Sequence, residues 1–169
     1  AVTLFEAGSE IGGQFRLAGM QPRRGQIIEL LDWYERQFDR LGVTFRLNTF
    51  VDTDDLANHP ADTVIIATGS LPDETGFQRW VPSDATLPGI EAGGVWSPEA
   101  VLRREARLGD AVVVYDEGGN WRGTGTAWAL AEAGKQVTIV TPEPFVGKEL
   151  ARTAADGVVR RRLGSLGVR

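Results

Sequence analysis

The stretch Val2-Thr3-Leu4-Phe5-Glu6, followed by Ala7-Gly8-Ser9-Glu10-Ile11-Gly12-Gly13-Gln14, decides the fold. An apolar strand that ends on a carboxylate and runs into a glycine pair has the pattern of the second strand of a dinucleotide-binding unit. In such a unit the acid accepts hydrogen bonds from a ribose, and it stands about 20 residues after a glycine fingerprint on the preceding turn. No such fingerprint stands before Glu6 in these residues. The motif is therefore expected to be half of a site, its strand and glycine turn supplied from outside residue 1.

Working outward, residues 7–24 hold Gly8, Gly12, Gly13, Gly19 and Pro22 and are expected to be irregular. A helix is predicted over 26–41. Ile27, Leu31, Tyr34, Phe38 and Leu41 step by three or four along one face, and Gly42 stands at the usual C-terminal glycine position. Val43-Thr44-Phe45-Arg46-Leu47 alternates as a half-buried strand does. Residues 52–58 hold a helical turn capped by Asp52 or Thr53. Thr63-Val64-Ile65-Ile66-Ala67 is a continuous, mostly β-branched run, expected to form a strand buried on both faces. It ends in Ala67-Thr68-Gly69, at the strand end where open α/β sheets bind ligands.

Residues 70–96 are rich in Pro, Gly, Asp and Trp and form a connection. Ser97-Pro98-Glu99 opens a short helix that is expected to stop near Gly109. A second unit follows. It has a strand at 111–115, a loop at 116–123, a helix at 124–133 ended by Gly134, and a strand at 137–140, which together make one βαβ unit. A last helix is expected over 149–163, with a further strand due where the chain stops. Both ends look cut. The expected domains are a partial FAD- or ADP-binding lobe at 1–80, a connection at 81–109 and a partial NAD(P)-binding-like lobe at 110–169. The fold class is α/β, with Rossmann-like three-layer nucleotide-binding lobes lacking the first strand and glycine fingerprint.

Composition narrows the function. The 169 residues carry a net charge of -5, which disfavours binding to a nucleic-acid backbone. No apolar run approaches the roughly 18 residues of a membrane span, and no basic leader opens the chain, so a cytoplasmic location is expected. Cysteine is absent and His59 is the only histidine. Disulfides, iron–sulfur ligation and a Cys-x-x-Cys redox pair are excluded within these residues, and a zinc site or histidine triad has no ligand set. No metal ligand and no catalytic residue is assigned.

The second unit's turn is a poor phosphate binder on its face. Counting back from Gly134 puts the third fingerprint glycine on Gly123, the first on Gly118 and the second on Asn120. Asp116 and Glu117 stand where the strand runs into the turn, and two carboxylates there repel a pyrophosphate. A structural remnant fits this loop better than a working site. Arg160-Arg161-Arg162 is expected to be a solvated helix face, and Trp80, Trp96, Trp121 and Trp128 are expected to serve packing.

Glu6, Gly12-Gly13-Gln14-Phe15-Arg16-Leu17-Ala18 with Pro22, Ala67-Thr68-Gly69, Leu87-Pro88-Gly89-Ile90 and Gly119-Asn120-Trp121-Arg122-Gly123 carry a resemblance that covers nearly all of the chain. The sequence resembles the C-terminal nucleotide-binding region of the trimethylamine dehydrogenase and 2,4-dienoyl-CoA reductase family, flavin enzymes related to old yellow enzyme. The resemblance implies a parent polypeptide whose N-terminal barrel holds FMN, an iron–sulfur cluster and the substrate site. In the reductases of this family the present region holds FAD and binds NADPH in its second lobe. In the amine dehydrogenases it holds ADP and the second lobe looks vestigial. The 116–123 loop is more similar to the dehydrogenases.

By position, the resemblance implies that Glu6 contacts a ribose and that Gly12, Gly13 and Gln14 lie along the nucleotide. Arg24 would sit near the phosphates or ribose, and Val51 would offer its backbone to the adenine edge. Ala67, Thr68 and Gly69 would close over the pyrophosphate, and Gly119 and Gly123 would be the turn glycines of the second lobe. The implied cofactor is FAD or ADP, with NAD(P)H a candidate for the second lobe. The implied partners are the nucleotide and the remainder of the polypeptide, with no nucleic acid and no membrane; a homo-oligomeric parent is an open alternative. Two alternatives stand beside a nucleotide-binding fragment of a flavin oxidoreductase on an amine or enoyl-type substrate. One is a non-catalytic module with a vestigial nucleotide site. The other is a stand-alone reductase, for which no redox centre is visible.

Overall fold

A computed structural model describes residues 1–84 and 86–169. The chain divides into two compact units, one of residues 1–20 and 24–70, the other of 21–23 and 71–169. Each is mixed helix and strand around a small parallel sheet.

In the first unit, β1 (Thr3–Phe5) pairs in parallel with β2 (Thr44–Arg46), Leu4 opposite Phe45. Parallel pairing requires a crossover, and two helices supply it: α1 (Gly13–Gly19) and α2 (Gln26–Leu41). The second has the predicted bounds. Its apolar face buries Leu31, and Gly42 turns the chain out of it at φ 69°. Tyr34 stacks on Phe38, and Phe38 meets Phe45 of β2 edge-on at 5.7 Å. A third helix, α3 (Thr53–Asn58), begins with a capping box: Asp52 accepts the Asp55 N–H, and the Asp55 carboxylate accepts the Asp52 N–H.

Two expectations in this unit are corrected. Residues 7–24 are not wholly irregular, because α1 forms there. Its glycines are packing gaps as well as turn residues. A Cβ on Gly12 would lie 2.7 Å from a Leu31 methyl, and one on Gly19 would lie 2.6 Å from Ile28 Cδ1. Side chains at either position would hold α1 away from α2. The second correction concerns residues 63–67, which form no paired strand and are not buried. Ile65 is 87% and Ile66 74% exposed. A strand covered on both faces needs neighbours along its ladder, and β1 and β2 are the only strands of this unit among the described residues.

The second unit opens its regular structure with a 3-10 turn at Ile90–Ala92 and then α4 (Pro98–Leu102), capped by Ser97 through the Ala100 N–H. This helix ends earlier than Gly109. Arg104 takes a left-handed φ of 63°, and the Glu105 N–H returns to the Ala100 carbonyl. Next, β3 (Ala111–Tyr115) pairs in parallel with β4 (Gln136–Val140) across α5 (Trp121–Glu132), which is the expected βαβ unit. The helix begins at Trp121 rather than Thr124, because Asn120 caps it by accepting the Arg122 N–H at 2.9 Å.

Ala127, Trp128, Leu130, Val137, Leu150, Val159 and Leu163 form the core. The expected last helix is two pieces, a 3-10 stretch at Lys148–Thr153 and α6 (Asp156–Ser165). Ala154, at φ 55°, breaks them and lets Leu150 turn into the core. After α6 the backbone of Arg169 bonds to Val137 and Ile139 of β4. The three arginines 160–162 lie on α6, where Arg160 pairs with Asp156 and Arg162 with Glu132. Trp128 is core, whereas Trp80 is largely exposed, against the expectation of packing.

Candidate functional site

In the first unit the site builds from the carboxyl end of β1. The ladder continues one residue past the strand, through the Glu6 N–H to the Arg46 carbonyl. The Glu6 side chain, half-buried, turns onto the next residues, and its Oε1 accepts the Gly8 N–H at 2.7 Å. Oε2 accepts no hydrogen bond among the described residues. Gly12 (φ 106°) and Gly13 (φ 44°) lead into α1 in left-handed conformations. Their surroundings differ. Gly12 abuts Leu31, while nothing lies within 4 Å of where a Gly13 Cβ would be.

Gln14 reaches to the end of the 63–69 segment. Its Nε2 donates to the Ser70 carbonyl at 2.7 Å and to Ser70 Oγ at 2.8 Å. Ala67, Thr68 and Gly69 (φ 68°) lie exposed just before that anchor. The fold thus brings Gln14 beside the Ala67-Thr68-Gly69 end through Ser70, a residue that sequence reading did not single out. Val51 lines a cavity of about 240 Å³ with Phe5, Thr49, Phe50, Asp55, Leu56 and His59. Phe5 and His59 meet edge-to-face there at 5.3 Å. Arg24 is half-buried at the entry to α2, its carbonyl accepting the Ile27 N–H.

The second unit presents a different arrangement. Asp116 directly follows β3, and its own N–H bonds the Val140 carbonyl at 2.8 Å. Oδ1 accepts the N–H groups of both Gly118 and Gly119 at 3.0 Å. A Cβ on Gly123 would lie 2.6 Å from Oδ1 and 2.7 Å from Oδ2. The residue is 4% exposed, and Oδ2 has no hydrogen-bond partner among the described residues. Burial pushes the Asp116 carboxyl above the ordinary aspartate range. The Gly119 and Gly118 donors and, more weakly, Arg79 oppose that rise, and Glu143 adds to it.

Glu117 faces the other way. It accepts the Tyr115 hydroxyl at 2.9 Å and the Arg79 N–H at 3.0 Å, while the Arg79 guanidinium donates to its carbonyl. Burial raises the Glu117 carboxyl, but these donors outweigh it and leave the group below the usual carboxylate range. Sequence reading placed Asp116 and Glu117 at the turn but took both as charges facing a ligand. The Asp-x-Gly-Gly spacing is the signal that one of them folds back onto its own backbone.

Behind the turn, Arg122 and Glu99 form a two-pronged ion pair at 2.7 and 2.8 Å. Burial raises the Glu99 carboxyl, yet the Arg122 bonds and charge together with local bonds hold it below the ordinary glutamate range. No described helix is long and apolar enough to cross a membrane.

This pair of mixed helix-and-strand units, with an acid and a glycine turn in the first, matches known proteins along nearly its whole length. No family model matches the chain. It is 37% identical over 149 residues to a probable N-methylproline demethylase of Rhizobium meliloti, covering 88% of this chain and 20% of that protein. The solved 6-hydroxypseudooxynicotine amine oxidase of Pseudomonas geniculata N1 superposes with a TM-score of 0.88 at 30% identity, covering 99% of this chain and 25% of the other. A 2-naphthoyl-CoA reductase superposes with a TM-score of 0.85 at 28% identity, again over 99% of this chain and 24% of the other. These relatives are oxidoreductases, and the chain is similar over its length to a part of proteins of the trimethylamine dehydrogenase and 2,4-dienoyl-CoA reductase family. It spans about a fifth of the length of the curated relatives it matches.

Proposed function

We propose that this chain is the nucleotide-binding part of a flavin-dependent oxidoreductase acting on an amine or enoyl-type substrate, its first unit holding one half of a site for FAD or ADP. The observation that carries this is the arrangement around Glu6: a carboxylate at a strand end with one oxygen uncommitted, an open Gly13, and Gln14 tied to the end of the Ala67-Thr68-Gly69 run. Glu6 is placed to accept a ribose hydroxyl pair, as the acid of a dinucleotide unit does. Gly13 leaves room for a ligand to meet the backbone, and the cavity beside Val51 combines apolar and aromatic walls with the polar Thr49 and Asp55, a mixture that suits a base edge. At about 240 Å³ that cavity is below the roughly 300–1,000 Å³ of a complete small-molecule site, as befits part of a larger nucleotide.

The residues therefore fit the adenosine end of the cofactor. When bound, a flavin supplies hydride or electron transfer, and the protein supplies position and electrostatics. The remainder of a longer polypeptide would supply the strand and glycine turn that complete the site. The exposed Val64, Ile65 and Ile66 are suited to pair with such a strand.

The test uses the full-length protein. Nucleotide released on denaturation, identified by chromatography and mass, is expected to be FAD or ADP, and Glu6→Gln is expected to lower its retention. A full-length protein that carries neither nucleotide refutes the proposal. The isolated 169-residue chain is expected to bind either nucleotide more weakly than micromolar.

A vestigial module is the second reading, favoured by the Asp116 turn. NADPH-driven flavin reduction in the full-length protein would exclude it. Tight ADP retention without NADPH oxidation would support it.

A further inference from the structure

We propose that Asp116 is an internal stand-in for a phosphate, closing the turn of the second unit to pyrophosphate-bearing ligands, so that the residue at position 116 decides whether this unit binds one. The inference rests on the part of the proposed function that gives the second unit a nucleotide-binding fold. It does not depend on what the first unit holds.

A glycine turn between a strand and a helix binds phosphate because its backbone N–H groups and the helix N-terminus point at one place. Here those components exist. The strand is β3, the helix is the twelve-residue α5, and the turn between them holds Gly118 and Gly119. Both of their N–H groups are already bonded, at 3.0 Å, to Asp116 Oδ1. The carboxylate also lies against the backbone of Gly123 in the first turn of α5, at the position that a dinucleotide turn keeps as glycine for close packing. In this unit, glycine at 123 makes room for the carboxylate.

Charge and volume act in the same direction. An incoming phosphate would meet a carboxylate in the place it needs, with Glu143 close enough to affect that group. The side chain is buried, and Oδ2 has no partner among the described residues. A carboxylate oxygen left without a donor is costly to keep. The turn spends both of its backbone donors on Oδ1, so they are occupied by the carboxylate and not open to a second anion. The Arg79 backbone and side chain lie on Glu117, the next residue, and hold the turn in place.

The experiment is an amide NMR titration of the 169-residue chain with inorganic pyrophosphate and, separately, NADH, read at Gly118, Gly119 and Gly123. In the wild type these resonances are expected to stay put at millimolar ligand. Asp116→Gly and Asp116→Ser, checked for the native dispersion of Val112–Val114, are expected to shift saturably, with affinity for pyrophosphate at least about tenfold tighter than wild type. Saturable movement of Gly118 and Gly119 in the wild type overturns the proposal, whether or not either variant folds. So does a folded variant that ignores pyrophosphate. A folded variant that binds pyrophosphate but not NADH upholds the closure and instead refutes the pyridine-nucleotide character of the lobe.

Discussion

Each unit places an acid directly after its first strand, and the two acids behave differently. Glu6 follows β1 and Asp116 follows β3. Each continues the ladder by its own N–H, and each accepts the N–H of the residue two further on. The local turn is thus nearly the same. What differs is the direction in which the glycine gaps open. In the first unit, Gly12 and Gly19 admit Leu31 and Ile28, so the gaps serve helix packing, and Gly13 remains open. In the second unit, Gly123 admits the acid itself. A carboxylate with room to stay half-exposed keeps an oxygen that the fold does not use. One drawn under a helix becomes part of the fold.

The strongest test of this contrast is Gly123→Ala. The new methyl would overlap both Asp116 oxygens, forcing the carboxylate off the Gly118 and Gly119 donors. A loss of about 3 kcal/mol is expected, from overpacking plus stranded donors. It would be read as a lowered urea midpoint at unchanged slope. A loss under about 1 kcal/mol would mean that the turn rearranges freely and that Asp116 is not locked.

Gly12→Ala is expected to cost less, about 2 kcal/mol, measured in the same way. The left-handed φ of 106° strains alanine, but the atoms it meets are the terminal methyls of Leu31, which can move. If Gly12→Ala proves costlier than Gly123→Ala, the first unit is the more tightly packed of the two and the contrast reverses.

Titration sharpens the comparison within the second unit. The native state holds the Asp116 proton to higher pH than the unfolded chain does, because its carboxyl is raised. Its contribution is therefore complete below the ordinary aspartate value and is lost as pH rises through the raised one. Glu99 runs the other way. Its carboxyl is lowered, so its contribution is present above the ordinary glutamate value and is lost as pH falls through the lowered one. Asp116→Asn should flatten the first trend and leave the second, whereas Glu99→Gln should do the reverse. Stability against pH, by chemical denaturation from about pH 3 to 7, checks both. An Asp116→Asn profile that parallels wild type would show that the carboxyl is not raised.

Much of this was legible in the residues. The spacing of Ile27, Leu31 and Phe38 fixed α2 to its ends, Ser97-Pro98 named its own cap, and Asp52 was one of the two caps open for α3. These are local signals, complete within one turn of chain. Two misreadings came from features that only tertiary partners settle. The glycines at 12 and 19 suggested a loop because their reason, close approach of a second helix, lies some nine to nineteen residues away. The run at 63–67 suggested a buried strand because its side chains are apolar, yet burial also needs neighbours that the described residues do not provide. At the candidate site, Glu6 and the glycine pair are proposed from their order alone. The role of Ser70 and the inward fold of Asp116 could not be read that way, since each depends on where a single side chain lands.

The smallest structural effect belongs to Gly13→Ala, and it separates packing from function. Nothing lies within 4 Å of the added methyl, and φ is 44°, so the expected cost is only that of holding alanine left-handed, about 1 kcal/mol. Gly12 and Gly13 are neighbours of the same residue type, but their surroundings give them different work. If the first unit carries the nucleotide, a methyl at 13 projects into the space the ligand needs. The full-length Gly13→Ala protein should then keep nearly wild-type stability while losing about tenfold or more in affinity for ADP or FAD. Calorimetric binding to the nucleotide-stripped protein would measure it. Equal affinity in variant and wild type would place the nucleotide away from Gly13, leaving Glu6 a strand-end carboxylate with no more function than its hydrogen bond to Gly8.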